Sequence, residues 1–249
     1  MDRLLMRYLV LSDVHANLEA LTAVLEASAG EWDQVLVLGD LVGYGADPNA
    51  VIDRIKLLPV AGMVRGNHDK VACGLDSVDS FNHVARQAIE WTARVLTPDN
   101  LRWLAALPKG PATIDELTSI CHGAPWDEDA YVFDERDVER AQPLSGPLCL
   151  FGHTHVPSIF RAGTAVEALL PVRGERCRVS IEPGQRYLVN CGAVGQPRDG
   201  DARAAFGLLD SAARAVTIVR TPYDVARAQG RILAAGLPAV LAQRLAMGR

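Results

Sequence analysis

An α/β fold is predicted for this 249-residue chain by three observations. The first third alternates short apolar runs with amphipathic stretches of helical spacing, Leu9-Val10-Leu11, Leu18 to Ser28, Val35 to Leu38, Val51 to Leu58 and Val60 to Val64. The runs are apolar throughout rather than at every second residue, which fits strands covered on both faces. The alternation itself implies parallel strands with helices packed across them. With 49% apolar residues the chain can bury one sizeable core, and a single domain over 1–249 is expected, with a helical insertion at about 70–112.

Tyr8-Leu9-Val10-Leu11 is the first strand and runs into Ser12-Asp13-Val14-His15. Asn17 is placed to cap the helix that follows, whose apolar face is Leu18, Leu21, Val24 and Leu25. The second strand, Val35 to Leu38, ends in Gly39-Asp40, and Pro48 suits the first turn of the next helix. The third ends in Gly66-Asn67-His68-Asp69, where a glycine permits a sharp turn. Helices are expected at Val84 to Leu96 and from Thr97-Pro98 through Leu107, where they could wall a cleft. Thr118 to Cys121 then runs into His122, a short helix is expected over Asp134 to Ala141, and Leu148 to Phe151 runs into Gly152-His153-Thr154-His155. Beyond this, the short runs at Ile159-Phe160, Ala165-Val166, Tyr187 to Val189, Ala205 to Leu209 and Val216 to Val219 are expected to form a second, largely antiparallel set of strands. Two short helices, split near Gly236-Leu237-Pro238, close the chain.

Composition narrows the function classes. The net charge is −5 and the signs are well mixed, which argues against a nucleic-acid backbone binder but not against a small phosphorylated substrate. No apolar stretch is long enough to span a bilayer, and the run from Leu4 to Leu11 is broken by Arg7 and followed at once by Asp13, so it reads as a strand and not a signal peptide. The five cysteines include no C-x-x-C pair, which points to a reducing compartment, and a cytoplasmic location is expected.

Five apolar runs end in Asp13/His15, Asp40, Asn67/His68, His122 and His153/His155, and five of the six histidines sit at these ends, His83 being the exception. In an open α/β sheet, ligands gather beyond the carboxyl ends of the strands, so these side chains are expected at one edge. Carboxylates, an amide oxygen and imidazoles without a thiolate suit divalent manganese, iron, zinc or nickel. Seven donors exceed one tetrahedral site and suit two ions about 3.5–4 Å apart that share a carboxylate.

In order and spacing, Asp13-Val14-His15, Gly39-Asp40, Gly66-Asn67-His68-Asp69, His122 and Gly152-His153-Thr154-His155 resemble the five motifs of the calcineurin-like metallophosphoesterases. The resemblance implies a four-layer αββα sandwich of two mixed sheets flanked by helices, classed as α/β or by some schemes α+β. It implies that Asp13, His15 and His155 hold one metal ion, that Asp40 bridges, and that Asn67, His122 and His153 hold the second. It also implies hydrolysis by a metal-bridging hydroxide, with His68 as the catalytic residue that faces the scissile phosphate and assists the leaving oxygen. Our further hypothesis is that Asp69 orients the His68 ring.

The chain departs from the protein phosphatases of this superfamily. Where they carry an Asp-Arg pair after the bridging Asp, it has Gly43 and Tyr44, so phosphoproteins are not the expected substrate. It resembles the compact prokaryotic branch of phosphodiesterase-like members, also in the segment Gly192 to Gly200, to which the sequence assigns no chemical role. Arg198 and Tyr44 are candidate substrate contacts. The expected activity is hydrolysis of phosphodiester bonds, with phosphomonoesters or nucleotides as further substrates. The alternatives are a non-catalytic scaffold on the same fold, a dinucleoside polyphosphate hydrolase and, against the acidic balance, a nuclease.

Overall fold

The computed structural model describes residues 6–140, 146–169 and 174–249. Strands β1 (Arg7–Leu11), β2 (Gln34–Val37) and β3 (Val60–Met63) are parallel and are joined by helices α1 (Leu18–Ala27) and α2 (Pro48–Lys56). Each helix begins where the residue types dictate: the Asn17 side chain accepts the Ala20 amide, and Pro48 occupies the first turn of α2.

A short helix, α3 (Asn67–Ala72), follows β3 directly. It leads through a 3-10 turn (Val78–Ser80) to α4 (His83–Val95) and α5 (Pro98–Ala105). The chain then enters β4 (Ala112–Thr113) and β5 (Thr118–Ile120), passes α6 (Glu135–Arg140), and continues through β6 (Leu148–Phe151), β7 (Ser158–Ala162), β8 (Val166–Ala168), β9 (Arg176–Ser180), β10 (Arg186–Asn190), β11 (Ala204–Asp210) and β12 (Ala215–Thr221). Helices α7 (Val225–Ala234) and α8 (Ala239–Met247) close it. The end of the predicted helix at Ala141 lies outside the described residues.

Two six-stranded mixed sheets result, ordered β3-β2-β1-β11-β12-β9 and β4-β5-β6-β10-β7-β8. This corrects the expectation of a separate antiparallel set. Strand β11 pairs antiparallel with β1 in the first sheet, and β12 and β9 follow it, each antiparallel to its neighbour, whereas β10 joins the second sheet parallel to β6, with β7 and β8 beyond it. The short late runs carry no pattern that assigns them to one sheet or the other.

The continuous apolar character of β1 and β2 has a period-two explanation. Leu9, Leu11, Val35 and Val37 face α1, α2, α4 and α5. Tyr8, Val10 and Leu36 face the second sheet, where Ile120, Leu148, Leu150, Tyr187 and Val189 meet them. Each such side chain taken out of water stabilises the fold by about 1.5–3 kcal/mol. A third apolar cluster, with Val138, Cys149 and Phe151, covers the outer face of the second sheet beneath α6. The layers are therefore helices, sheet, sheet and helix. Among the described residues no helix is long and apolar enough to cross a membrane.

Candidate metal centre

The carboxyl ends of β1, β2 and β3 in one sheet and of β5 and β6 in the other open onto the same place. The donors therefore converge from two sheets rather than along the edge of one, as the sequence had suggested. The loops are zipped together through the backbone. Asp13 N donates to Gly39 O at 3.1 Å, His15 N to Asp40 O at 2.9 Å, and Gly152 N to His122 O at 2.8 Å. The packing leaves no room for a side chain at Gly66, where a Cβ would stand 2.1 Å from Asp40 Oδ1.

Two donor groups form, Asp13, His15, Asp40 and His155, and Asp40, His122 and His153, all buried and each with donor atoms within 4.8 Å of one another. Asp40 belongs to both: its Oδ2 is 3.5 Å from His15 Nε2 and 3.5 Å from His122 Nε2. Asn67 Oδ1 joins the second group, 3.2 Å from His122 Nε2. Asp13, His15, Asp40, His153 and His155 all have positive φ, between 48° and 67°. Non-glycine residues in that region are strained by roughly 1–3 kcal/mol each, and such strain gathers at functional sites.

The hydrogen bonds of the four imidazoles test the fit to a cation. His15 Nδ1 faces Val42 O at 3.0 Å, His155 Nδ1 faces Gln196 O at 2.7 Å, His122 Nδ1 faces Leu38 O at 2.7 Å, and His153 Nε2 faces Asp129 O at 3.1 Å. A ring nitrogen facing a carbonyl must carry the proton, so in each neutral ring the other nitrogen is a bare lone pair. Those lone pairs point at each other, His15 Nε2 and His155 Nε2 at 3.2 Å, and His122 Nε2 and His153 Nδ1 at 3.1 Å. Beside them Asp13 Oδ1 is buried without a hydrogen-bond partner, 3.3 Å from His155 Nε2. Facing lone pairs and an orphaned carboxylate oxygen repel unless a cation lies between them, so the residues fit divalent ions.

The electrostatics agree. Burial pushes His15 down to about 4 and His153 to about 3, and pushes His155 well below its ordinary value, so these rings are neutral donors at physiological pH. Burial lifts the Asp13 carboxyl to about 6. It would lift Asp40 too, but His122, His68 and His15 hold that carboxyl well below the usual range. Burial also works to lower His122, yet Asp40 and then Asp13 carry it up to about 10, which shows how strongly the two buried carboxylates draw positive charge to this place.

His68 lies beside the first group, its ring centroid 4.8 Å from that of His15, and its backbone amide donates to Asp40 Oδ1 at 2.9 Å. Burial lowers it to about 3. Its Nδ1 is buried without a partner against Gly43, where a Cβ would stand 2.3 Å away. Gly43 thus makes room for the ring. The proposed role of Asp69 in orienting that ring is not what the structure shows. Asp69 Oδ1 accepts the Leu41 and Val42 amides at 2.9 and 3.2 Å, and Oδ2 accepts the Gly66 amide at 3.0 Å. The carboxylate braces two metal-side loops instead, which satisfies three buried N–H groups.

A cleft of about 480 Å³ opens over the donors, lined by Asp40, Asn67, His68, His153 and His155 together with Tyr44, Arg198, Phe81, Lys70 and Tyr131. Residues between Lys70 and Ala85 form one wall. Arg198 Nη2 lies 3.4 Å from the Tyr44 hydroxyl and 3.1 Å from Gln196 Oε1. His83 is exposed at the start of α4 and does not line the cleft, and Arg65 forms a two-point ion pair with Glu128 at 2.9 and 3.1 Å.

The structure also gives the 192–200 segment a role. Gly195 N donates to Asp13 O at 2.9 Å, Gln196 O orients His155, and Arg198 N donates to His155 O at 3.2 Å. A Cβ at Gly195 would stand 1.8 Å from Val14 O, so only glycine allows this approach. The buried Arg220 of β12 grips Asp199 and so anchors the segment from behind. Backbone atoms do most of this, and side-chain identity does not reveal it; the run of glycines at 192, 195 and 200 was the available signal.

A family model for the calcineurin-like phosphoesterase superfamily domain matches residues 6–214. The chain belongs to that superfamily. Within it, this member is similar to an uncharacterized protein of Methanocaldococcus jannaschii, 36% identical over 250 residues that span 96% of this chain and 97% of that one. It is also similar to the crystal structure of a metallophosphoesterase from Sphaerobacter thermophilus, with 38% identity and a TM-score of 0.85 over 98% of this chain and 100% of the other. A hypothetical protein of Pyrococcus horikoshii shares the fold at 20% identity, with a TM-score of 0.77 over 98% of each chain. The superfamily sandwich is thus the observed architecture, with the Asp/His donor groups at the shared ends of its two sheets.

Proposed function

We propose that this member is a phosphodiester hydrolase that works with two divalent ions, one held by Asp13, His15 and His155, the other by Asn67, His122 and His153, with Asp40 between them. The observation that carries the proposal is Asp40 Oδ2, equally distant from an imidazole of each group, amid lone pairs that face one another. When bound, such ions supply Lewis acidity, which lowers the pKa of water and neutralises charge on a phosphoryl oxygen.

The chain's own groups do the rest. His68, neutral because it is buried, offers a ring N–H to the departing oxygen as a hydrogen-bond donor rather than as a preformed imidazolium. Its Nδ1 is sealed against Gly43, which leaves Nε2 for that task. Arg198 and Tyr44 face the substrate across the metal centre. Among the described cleft residues, Lys70 is engaged by Asp76, Glu128 and Asp129, while Arg198 has no carboxylate partner. One uncompensated cation, with Asp76, Asp79 and Asp129 near the entrance, matches a singly charged diester better than a phosphomonoester dianion or a polyphosphate chain. Gly43 and Tyr44, in place of the acidic–basic pair of protein phosphatases, support the same choice.

The test is a screen of the protein reconstituted with manganese, iron, zinc or nickel against phosphodiesters, phosphomonoesters and dinucleoside polyphosphates. Diester turnover exceeding monoester turnover is expected. Metal-loaded protein that hydrolyses none of them would favour the scaffold reading instead.

A further inference from the structure

Tyr131 belongs to none of the strand-end motifs. It lies on the segment between β5 and α6, is 46% exposed, and lines the cleft. Its ring stacks on the His153 imidazole with centroids 3.9 Å apart and planes 20° apart. On the other side of the centre, Tyr44 lies against His15 at 4.7 Å and His68 at 4.4 Å. Each donor group therefore has one imidazole covered by a tyrosine.

Arg198 meets the Tyr44 phenol and shares the cleft with Tyr131. Besides its contact with the Tyr44 hydroxyl, its guanidinium carbon lies 5.7 Å from the Tyr44 ring centroid. Burial raises the pKa of both Tyr44 and Tyr131, and at both the nearby Arg198 charge opposes that rise. Arg198 Nε is buried and has no hydrogen-bond partner. Two phenols and a guanidinium thus offer hydrogen-bond donors to one cleft.

We propose that Tyr131 is a substrate-binding residue which, with Arg198 and Tyr44, forms a three-point clamp for a non-bridging oxygen of a phosphoryl group lying over both donor groups. The identity of that ligand rests on the phosphoesterase reading above. The clamp explains why a tyrosine, rather than a leucine of similar packing value, covers His153: the ring shields the imidazole and the hydroxyl reaches the anion.

The experiment measures binding of inorganic phosphate to the manganese-loaded protein by calorimetry, with metal content by elemental analysis. The variants are Tyr131→Phe, which keeps the ring, Tyr131→Leu, which removes it, and Arg198→Met. Tyr131→Phe should weaken phosphate binding roughly 10-fold with unchanged metal content, since a hydrogen bond to a charged group is lost and the stack is kept. Arg198→Met should weaken it more, and Tyr131→Leu should also reduce the metal held beside His153. Wild-type phosphate affinity in Tyr131→Phe overturns the clamp, as does loss of metal in that variant. If wild type hydrolyses diesters while Tyr131→Phe is indistinguishable from it, the clamp alone fails. If metal-loaded wild type neither binds phosphate nor hydrolyses any ester, the phosphoesterase reading falls and the clamp with it.

Discussion

Around Asp13, His15 and His155 the carbonyls that orient the imidazoles come from Val42 and Gln196, both buried and both in segments tied to neighbouring loops by backbone hydrogen bonds. Around His122 and His153 they come from Leu38, at the buried end of β2, and from Asp129, whose side chain is 44% exposed on the rim of the cleft. Asn67, the amide donor of this second group, is only half-buried. One group is the more enclosed and is oriented by buried loops, whereas the other depends on a rim loop. That loop is held by Lys70, whose ammonium meets Asp129, Asp76 at 2.9 Å and Glu128 at 3.5 Å. The contrast shows that two donor groups sharing a carboxylate need not be equally well supported. The enclosed group should bind its ion more tightly and the rim group should exchange its ion more readily.

The largest effect should come from the residue that erases the contrast. Asp40→Ala removes the shared donor, so elemental analysis should show metal lost from both groups. Turnover should fall by more than the roughly 10²–10³ that one missing electrostatic donor costs an active site. Full metal content in that variant would count against a bridging position. His68→Ala comes next. It abuts the enclosed group without being one of its donors, so both ions should stay while turnover drops by roughly 10²–10⁴. Retained activity would remove His68 from the mechanism. Lys70→Met bears on the contrast itself. It frees Asp129, and the affinity of one ion, the one beside His153, should fall roughly 10- to 100-fold as second-layer supports are lost. A titration showing equal weakening of both ions would mean that the rim loop is not the soft support. Asp69→Asn should be mildest for chemistry and visible mainly in denaturant unfolding, at about 1–3 kcal/mol for the lost acceptor of buried amides. A change in the pH profile of turnover without a change in stability would reinstate a direct link to His68.

The donors were legible in the sequence because polar residues at the ends of apolar runs have no packing reason to be there, and Asp13, Asp40, His122 and His153 all stand at such ends. The helices were legible through caps such as Asn17 and Pro48. Strand β9 was not, since its residues alternate between exposed and half-buried at the edge of a sheet and it contains two arginines. Which sheet receives β10 or β11 is decided by long-range pairing that a local pattern does not encode. Asp69 misled because a carboxylate beside a histidine in sequence suggests a pair, whereas three backbone amides claim it in space. Gln196 and Asp129 escaped notice because they act through their carbonyl oxygens, which every residue has.

The left-handed backbone at Asp13, His15, Asp40, His153 and His155 has a consequence for how the ions arrive. Their donors are carried on tight backbone turns held by the fold itself, so a cation has only the side chains to draw together. Those turns supply the template. The species that fills it is then set by which divalent ions are at hand and by their intrinsic preference for imidazole and carboxylate, rather than by a cage that closes selectively around one of them.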